Sequence, residues 1–126
     1  MKKLLLLTLL CFSINGFAFN WKKVGESSVG DSYYLDVDNI KKHNGFVYYW
    51  EVVDLLKPSQ DGDYSHISKW QVDCVKEKRT WLSITFYSQP MGKGRINYEA
   101  TPNKIKYPKP GEAGYVLMKL ACDIAK

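Results

Sequence analysis

Alternation of apolar and polar positions dominates the chain. From Phe46 to Leu56, Phe46, Tyr48, Trp50 and Val52 fall on one face of an extended segment, and Val47, Tyr49, Glu51 and Val53 on the other. Both faces carry bulk, so this strand is expected at the centre of a sheet or covered on both sides. Two more strands follow within Ser65 to Gly94. On the first, His66, Ser68, Trp70, Val72 and Cys74 share a face. On the second, Thr80, Leu82, Ile84, Phe86 and Ser88 share one, with Trp81, Ser83, Thr85 and Tyr87 opposite. Lys76-Glu77-Lys78-Arg79 reads as the charged turn between them, which makes the pair antiparallel.

Shorter elements surround this centre. Trp21 to Val24 and Ser32 to Asp36 read as strands, the latter rich in residues suited to a pleated surface. Asp38 to Lys42 reads as a single helical turn, with Asp38 as its N-cap, and Asn44-Gly45 as a tight turn. Lys57 to Asp63 is a loop by composition. Pro90 to Gly94 turns the chain into a strand from Arg95 to Tyr98. From Thr101 to Pro110, prolines and lysines predict a loop or a blunted sheet edge. From about Glu112 the polar residues Glu112, Lys119, Asp123 and Lys126 lie on one narrow helical face, and most of the rest is apolar. Such a helix must lie against the sheet. The fold class is therefore α+β: a small antiparallel β-sheet with a C-terminal helix packed on it.

The N-terminus changes the arithmetic. Lys2 and Lys3 precede an apolar run from Leu4 to Phe12, and Gly16-Phe17-Ala18 offers a small-residue cleavage site, so residues 1–18 are expected to be a secretory signal peptide. Cys11 would suit a lipoprotein signal, but Leu10 before it does not. Of the 126 residues, residues 19–126 would remain as one domain. Losing two of the 18 basic residues leaves 16 against 13 acidic ones, a net charge of +3. So mild a charge does not argue for nucleic acid as a partner. No later apolar run approaches the roughly 20 residues of a membrane span. Two cysteines remain, Cys74 and Cys122, and an even count in an exported chain reads as a disulfide. That bond would staple the terminal helix to the sheet and stabilise the fold by about 4 kcal/mol on chain-entropy grounds.

Catalytic and metal chemistry finds little support. His43 and His66 are the only histidines; a nuclease-like acid–base pair would need them together, and nothing in the spacing does that. Asp61-Gly62-Asp63, with Asp54, is loosely calcium-like but lacks the ordered ligand set and closing Glu of a calcium loop. Two cysteines and two scattered histidines do not make a zinc site. Met91-Gly92-Lys93-Gly94 lacks the glycine spacing and following Ser or Thr of a phosphate loop. No cofactor is implied. Binding chemistry is better represented. Tyr49, Tyr87 and Trp81 oppose the expected core face and are candidates for exposed recognition. Lys93, Arg95, Lys104, Lys106 and Lys109 are interrupted by one acid, Glu99. They are candidate ligand-binding residues for an acidic partner such as a host glycoprotein, glycosaminoglycan or lipid headgroup.

Several short motifs carry a family likeness. They are Tyr34-Leu35-Asp36 with Ile40, the aromatic strand through Trp50, Val72-Asp73-Cys74, Tyr87 leading into Met91-Gly92-Lys93-Gly94, Pro110, and the late Cys122. With these, residues 19–126 resemble the bacterial surface-adhesin protein E-like family. The resemblance implies a small antiparallel sheet with a C-terminal helix and a cystine. It also implies a non-enzymatic binding protein, exported to the periplasm or outer-membrane surface, whose partners are host extracellular-matrix or serum proteins. The poor lipoprotein signal departs from the adhesin pattern. A periplasmic protein of another role, such as a small secreted hydrolase, stays open, as does a homodimer.

Overall fold

The computed structural model describes residues 18–126; the expected signal peptide, but for Ala18, and Cys11 with its lipidation lie outside them. Eight strands form one sheet: β1 (Trp21–Glu26), β2 (Ser32–Asp36), β3 (Lys41–His43), β4 (Phe46–Asp54), β5 (Ser65–Asp73), β6 (Lys78–Gln89), β7 (Lys93–Ala100) and β8 (Lys104–Lys106). The order β1-β2-β4-β5-β6-β7 is antiparallel throughout, with β3 beside β4 and β8 beside β6. A 3-10 turn, Pro90–Gly92, separates β6 from β7, and the chain ends in α1 (Ala113–Ile124).

The α+β architecture is as the alternation predicts, but the core lies on the other face of β4. Leu117, Met118 and Ala121 of α1 are fully buried against Val47, Tyr49, Leu35, Trp70 and Val72. Tyr49 is thus in the core, not exposed. Glu51, the polar member of that face, is buried with them because Arg79 pairs with it at 2.9 Å. Arg79 is correspondingly no turn residue. The turn is Cys74 to Glu77, and Arg79 is the second residue of β6.

A bulge explains the second correction. Lys69 pairs with Ser83 but Trp70 with Trp81, so Leu82 is an extra residue that flips the alternation. Trp81 therefore shares the helix-side face with Ile84 and Phe86. It stacks on Trp70 at 5.5 Å and donates its indole N–H to Ser68 Oγ at 3.1 Å. It is half-buried rather than displayed.

The third correction concerns Asp38 to Lys42. No helical turn forms; Lys41–His43 pairs with Phe46–Tyr48. Asn44 and Gly45 both adopt positive φ, 51° and 82°, as a two-residue hairpin turn requires, and that turn imposes strands on either side. The Asp38 carboxylate accepts from Asn20 Nδ2 at 3.0 Å instead of capping a helix.

Two devices fix the ends of the sheet. Cys74 and Cys122 form the expected disulfide, with Cα atoms 6.1 Å apart. Beside it, Glu77 accepts from the Tyr115 hydroxyl at 2.8 Å and pairs with Lys119 at 3.3 Å, so the β5–β6 turn is tied to α1 twice more. At the far end the 3-10 turn folds over the opposite face of the sheet. Met91 N donates to Asp54 Oδ1 at 2.9 Å and Gly92 N to Ser65 Oγ at 2.8 Å. Gly92 has φ +68°, and a Cβ there would meet Ile67 Cδ1 at 2.5 Å, so the close approach needs glycine. The Met91-Gly92-Lys93-Gly94 segment is this turn.

Candidate functional site

The five basic candidates all sit on the β7–β8 edge, but in two groups. Lys93 and Arg95 open β7, with Lys93 opposite Gln89; Lys104 and Lys106 lie on β8, with Lys106 opposite Arg79. Both strands pair with β6, and Gln89 and Arg79 stand ten residues apart on it, roughly 33 Å along an extended strand. Lys109 follows β8 in the loop before α1, where its backbone N–H donates to Glu112 Oε1 at 2.6 Å. All five are exposed. Among the described residues none of them makes an ion pair. Between them the edge displays Ile96, Tyr98, Ile105 and Tyr107, each at least half exposed. Cations alternating with apolar side chains form a surface that can desolvate a partner and meet its negative charge together.

Behind β8 lies a cleft of about 260 Å³, walled by Trp70, Trp81, Lys106, Tyr107 and Pro108 and roofed by the start of α1. Arg79 forms its floor. The guanidinium lies 3.6 Å from the Trp70 ring centroid, a cation–π contact, and its Nη1 donates to Tyr49 Oη at 2.6 Å and Glu51 Oε1 at 2.9 Å. Burial pushes the Glu51 carboxyl up and Arg79 pulls it back; burial likewise pushes the Tyr49 phenol up. A side chain at Gly114 would collide with the Arg79 guanidinium, so the helix can approach this closely only with glycine there. The network holds α1 and the sheet in register, with Arg79 Nε and the Trp70 indole nitrogen left buried without a hydrogen-bond partner among the described residues. Sequence reading missed it. The available signal was an acid, Glu51, in the middle of an otherwise apolar strand, which demands a buried cation.

The histidines do not meet. His43 is opposite Phe46 and His66 opposite Val53, seven residues along β4, or roughly 24 Å. His43 is exposed, with Asn44 Nδ2 at 3.1 Å from its Nε2. His66 lies 5.3 Å from the Phe86 ring, and burial pushes its imidazole below the ordinary range. Asp63 clasps its own loop, accepting from Ser59 Oγ at 2.9 Å and Asn97 Nδ2 at 2.8 Å. Among the described residues no cluster of three or more His, Cys, Asp or Glu could hold a metal ion, and no helix is long and apolar enough to cross a membrane. Tyr87 lies on the face opposite α1, where it flanks Gly92.

Comparison with known proteins gives one consistent answer. Crystal structures of Haemophilus influenzae protein E share this fold: one, at 19% identity, covers 86% of this chain and 87% of that chain with a TM-score of 0.63. A second crystal form, also at 19% identity, covers 86% and 91% with a TM-score of 0.61. A third, of protein E from the non-typeable organism, covers 84% and 86% at 19% identity with a TM-score of 0.56. No curated protein sequence matches. The surface-adhesin protein E family matches residues 21–123, which is nearly the whole described domain, and the chain belongs to that family.

Proposed function

We propose that this protein is an exported, non-enzymatic surface adhesin whose β7–β8 edge contacts acidic surfaces of host extracellular-matrix or serum proteins. The reading rests on one observation: Lys93, Arg95, Lys104, Lys106 and Lys109 are exposed, without ion pairs among the described residues, and interleaved with exposed Ile96, Tyr98, Ile105 and Tyr107. Exposed cations on a sheet edge that make no ion pair have no such pair to break and steer an acidic surface into contact. Family membership supports surface adhesion as the role. Export agrees with the basic and apolar residues 1–18 and with the disulfide, which persists in oxidising compartments. The two cation groups would contact separate patches of one large partner.

The test is binding of residues 19–126 to immobilised basement-membrane extract and serum protein across a salt series. Lys104→Gln/Lys106→Gln/Lys109→Gln should weaken attachment and flatten its salt dependence, and Lys93→Gln/Arg95→Gln should do so in part. Attachment by the triple variant equal to the parent's at low salt would remove this edge as the contact surface.

A further inference from the structure

The pairing of β8 with β6 sets two cations side by side. Lys106 stands directly opposite Arg79, so both side chains leave the sheet on the same face. Like charges placed directly across a ladder repel. Glu51 answers the Arg79 charge, with its Oε1 2.9 Å from Nη1, whereas among the described residues Lys106 makes no ion pair. Both cations line the cleft of about 260 Å³ behind β8, with Trp81, Tyr107 and Pro108 as its apolar walls. One carboxylate, that of Glu112, also borders the cleft, but its Oε1 already accepts from the Lys109 backbone N–H at 2.6 Å.

The guanidinium itself is only half used. Both of its hydrogen bonds, to Tyr49 Oη and Glu51 Oε1, leave through Nη1, and Nε has no partner. The Nε–Nη2 edge is the kind that carboxylates take as a two-pronged fork. It is turned toward the first turn of α1: a Cβ on Gly114 would collide with Nη2 and lie 3.0 Å from Cζ and 3.6 Å from Nε. Glycine at this position leaves room beside the edge, on the wall of the cleft. Nε is fully buried, so Nη2 is the atom a ligand meets. A free guanidinium edge, an unanswered lysine across from it and apolar walls around both suit a small carboxylate. A tetrahedral sulfate or phosphate would turn further charged oxygens against those walls. We propose that the cleft receives the carboxylate of an aspartate or glutamate side chain from an acidic partner protein. One oxygen meets Arg79 Nη2 and the other Lys106 Nζ, with the side-chain methylenes against Trp81 and Tyr107. This inference rests on the reading of the β7–β8 edge as a surface for acidic partners, and names the place where one acid is anchored.

NMR titration of residues 19–126 at constant ionic strength tests it, with N-acetyl-glutamate amide, N-acetyl-glutamine amide and sodium sulfate as probes. The glutamate probe should shift the Gly114 amide and Arg79 Nε–H signals saturably. The glutamine probe, alike in shape but uncharged, should not, and neither should sulfate. Lys106→Gln should weaken the glutamate probe about tenfold or more, as loss of a charge-assisted hydrogen bond does. Lys106→Arg should retain it, which separates the charge from any disturbance of β8. Tyr107→Ala, an exposed change just beyond the paired residues of β8, should also weaken it, and so covers the case in which Lys106→Gln disturbs the strand. Lys57→Gln, in the exposed loop between β4 and β5, should bind within about twofold of the parent. Overturning results are no saturable shift at Gly114 and Arg79, equal shifts from the glutamine probe or from sulfate, or parental affinity in Lys106→Gln. The probe is not a host protein, so the two readings fail separately. A failed titration, with matrix attachment still lost in Lys104→Gln/Lys106→Gln/Lys109→Gln, would remove the cleft and leave the edge standing. Saturable probe binding without any matrix attachment would do the reverse.

Discussion

Replacing Arg79 with Met tests the buried network directly. The Glu51 and Arg79 side chains are 7% and 11% exposed, and their oxygen–nitrogen distance is 2.9 Å. At an effective dielectric of 20, unit charges at that distance attract by about 6 kcal/mol, set against a desolvation cost of similar size. The pair is therefore a modest net stabiliser, but removing one member leaves a buried, uncompensated charge. Such losses cost about 3–5 kcal/mol. For a domain of this size, at roughly 4–5 °C per kcal/mol, the midpoint should fall by about 12–25 °C. Calorimetry or circular dichroism reads this. The sign of the pH effect follows from Glu51, whose folded carboxyl is raised by burial. A raised acid contributes stability fully below its unfolded value, near 4.5, and loses it as pH rises towards the folded value. Without Arg79 the folded value rises further, so Arg79→Met should be less destabilised at pH 4 than at pH 7, relative to the parent. Adding Glu51→Gln should remove that pH dependence and recover part of the loss. A drop below about 1 kcal/mol, as for an exposed pair, or a double variant worse than the single by the full cost of another broken pair, would refute the reasoning.

The remaining expectations are simpler. Reduction of Cys74–Cys122, which closes a separation of 48 residues, should destabilise the fold by about 4 kcal/mol; mass spectrometry of oxidised residues 19–126 should find no free thiol, and two alkylatable cysteines would contradict the bridge. Gly92→Ala should cost about 1–3 kcal/mol from its positive φ and its collision with Ile67, read by chemical denaturation; an unchanged midpoint would show that the turn does not press on the sheet. Trp81→Phe should cost about 1 kcal/mol by removing the bond to Ser68.

The sequence reading succeeded where a local rule and the global fold agree. Period-2 alternation located β4, β5 and β6, the apolar stripe located α1, and cysteine parity gave the bridge. It failed where a long-range partner decided the outcome. Glu51 looks like a solvent-facing residue until Arg79, 28 positions later, neutralises it, and with that one pairing the whole of β4 turns over. Leu82 carries no mark of being a bulge, because the mismatch exists only between two strands; it alone moves Trp81 to the helix side. At Asp38 to Lys42 the cap signal competed with the Asn44-Gly45 hairpin signal, and the hairpin won because it gains strand pairing as well as a turn. The candidate site shows the same division. The five cations were visible as a set, but only the pairing of β7 and β8 with opposite ends of β6 separates them into two groups. Lys106, standing opposite Arg79, was visible only once β6 and β8 were paired in register.

Protease shaving of intact cells bears most directly on surface adhesion. Trypsin has exposed sites after Lys104 and Lys106 on the edge strand β8. The account predicts loss of the full-length band from intact cells, on a reducing gel, while a periplasmic marker stays whole. Protection in intact cells, with cleavage only after the outer membrane is permeabilised, would contradict it.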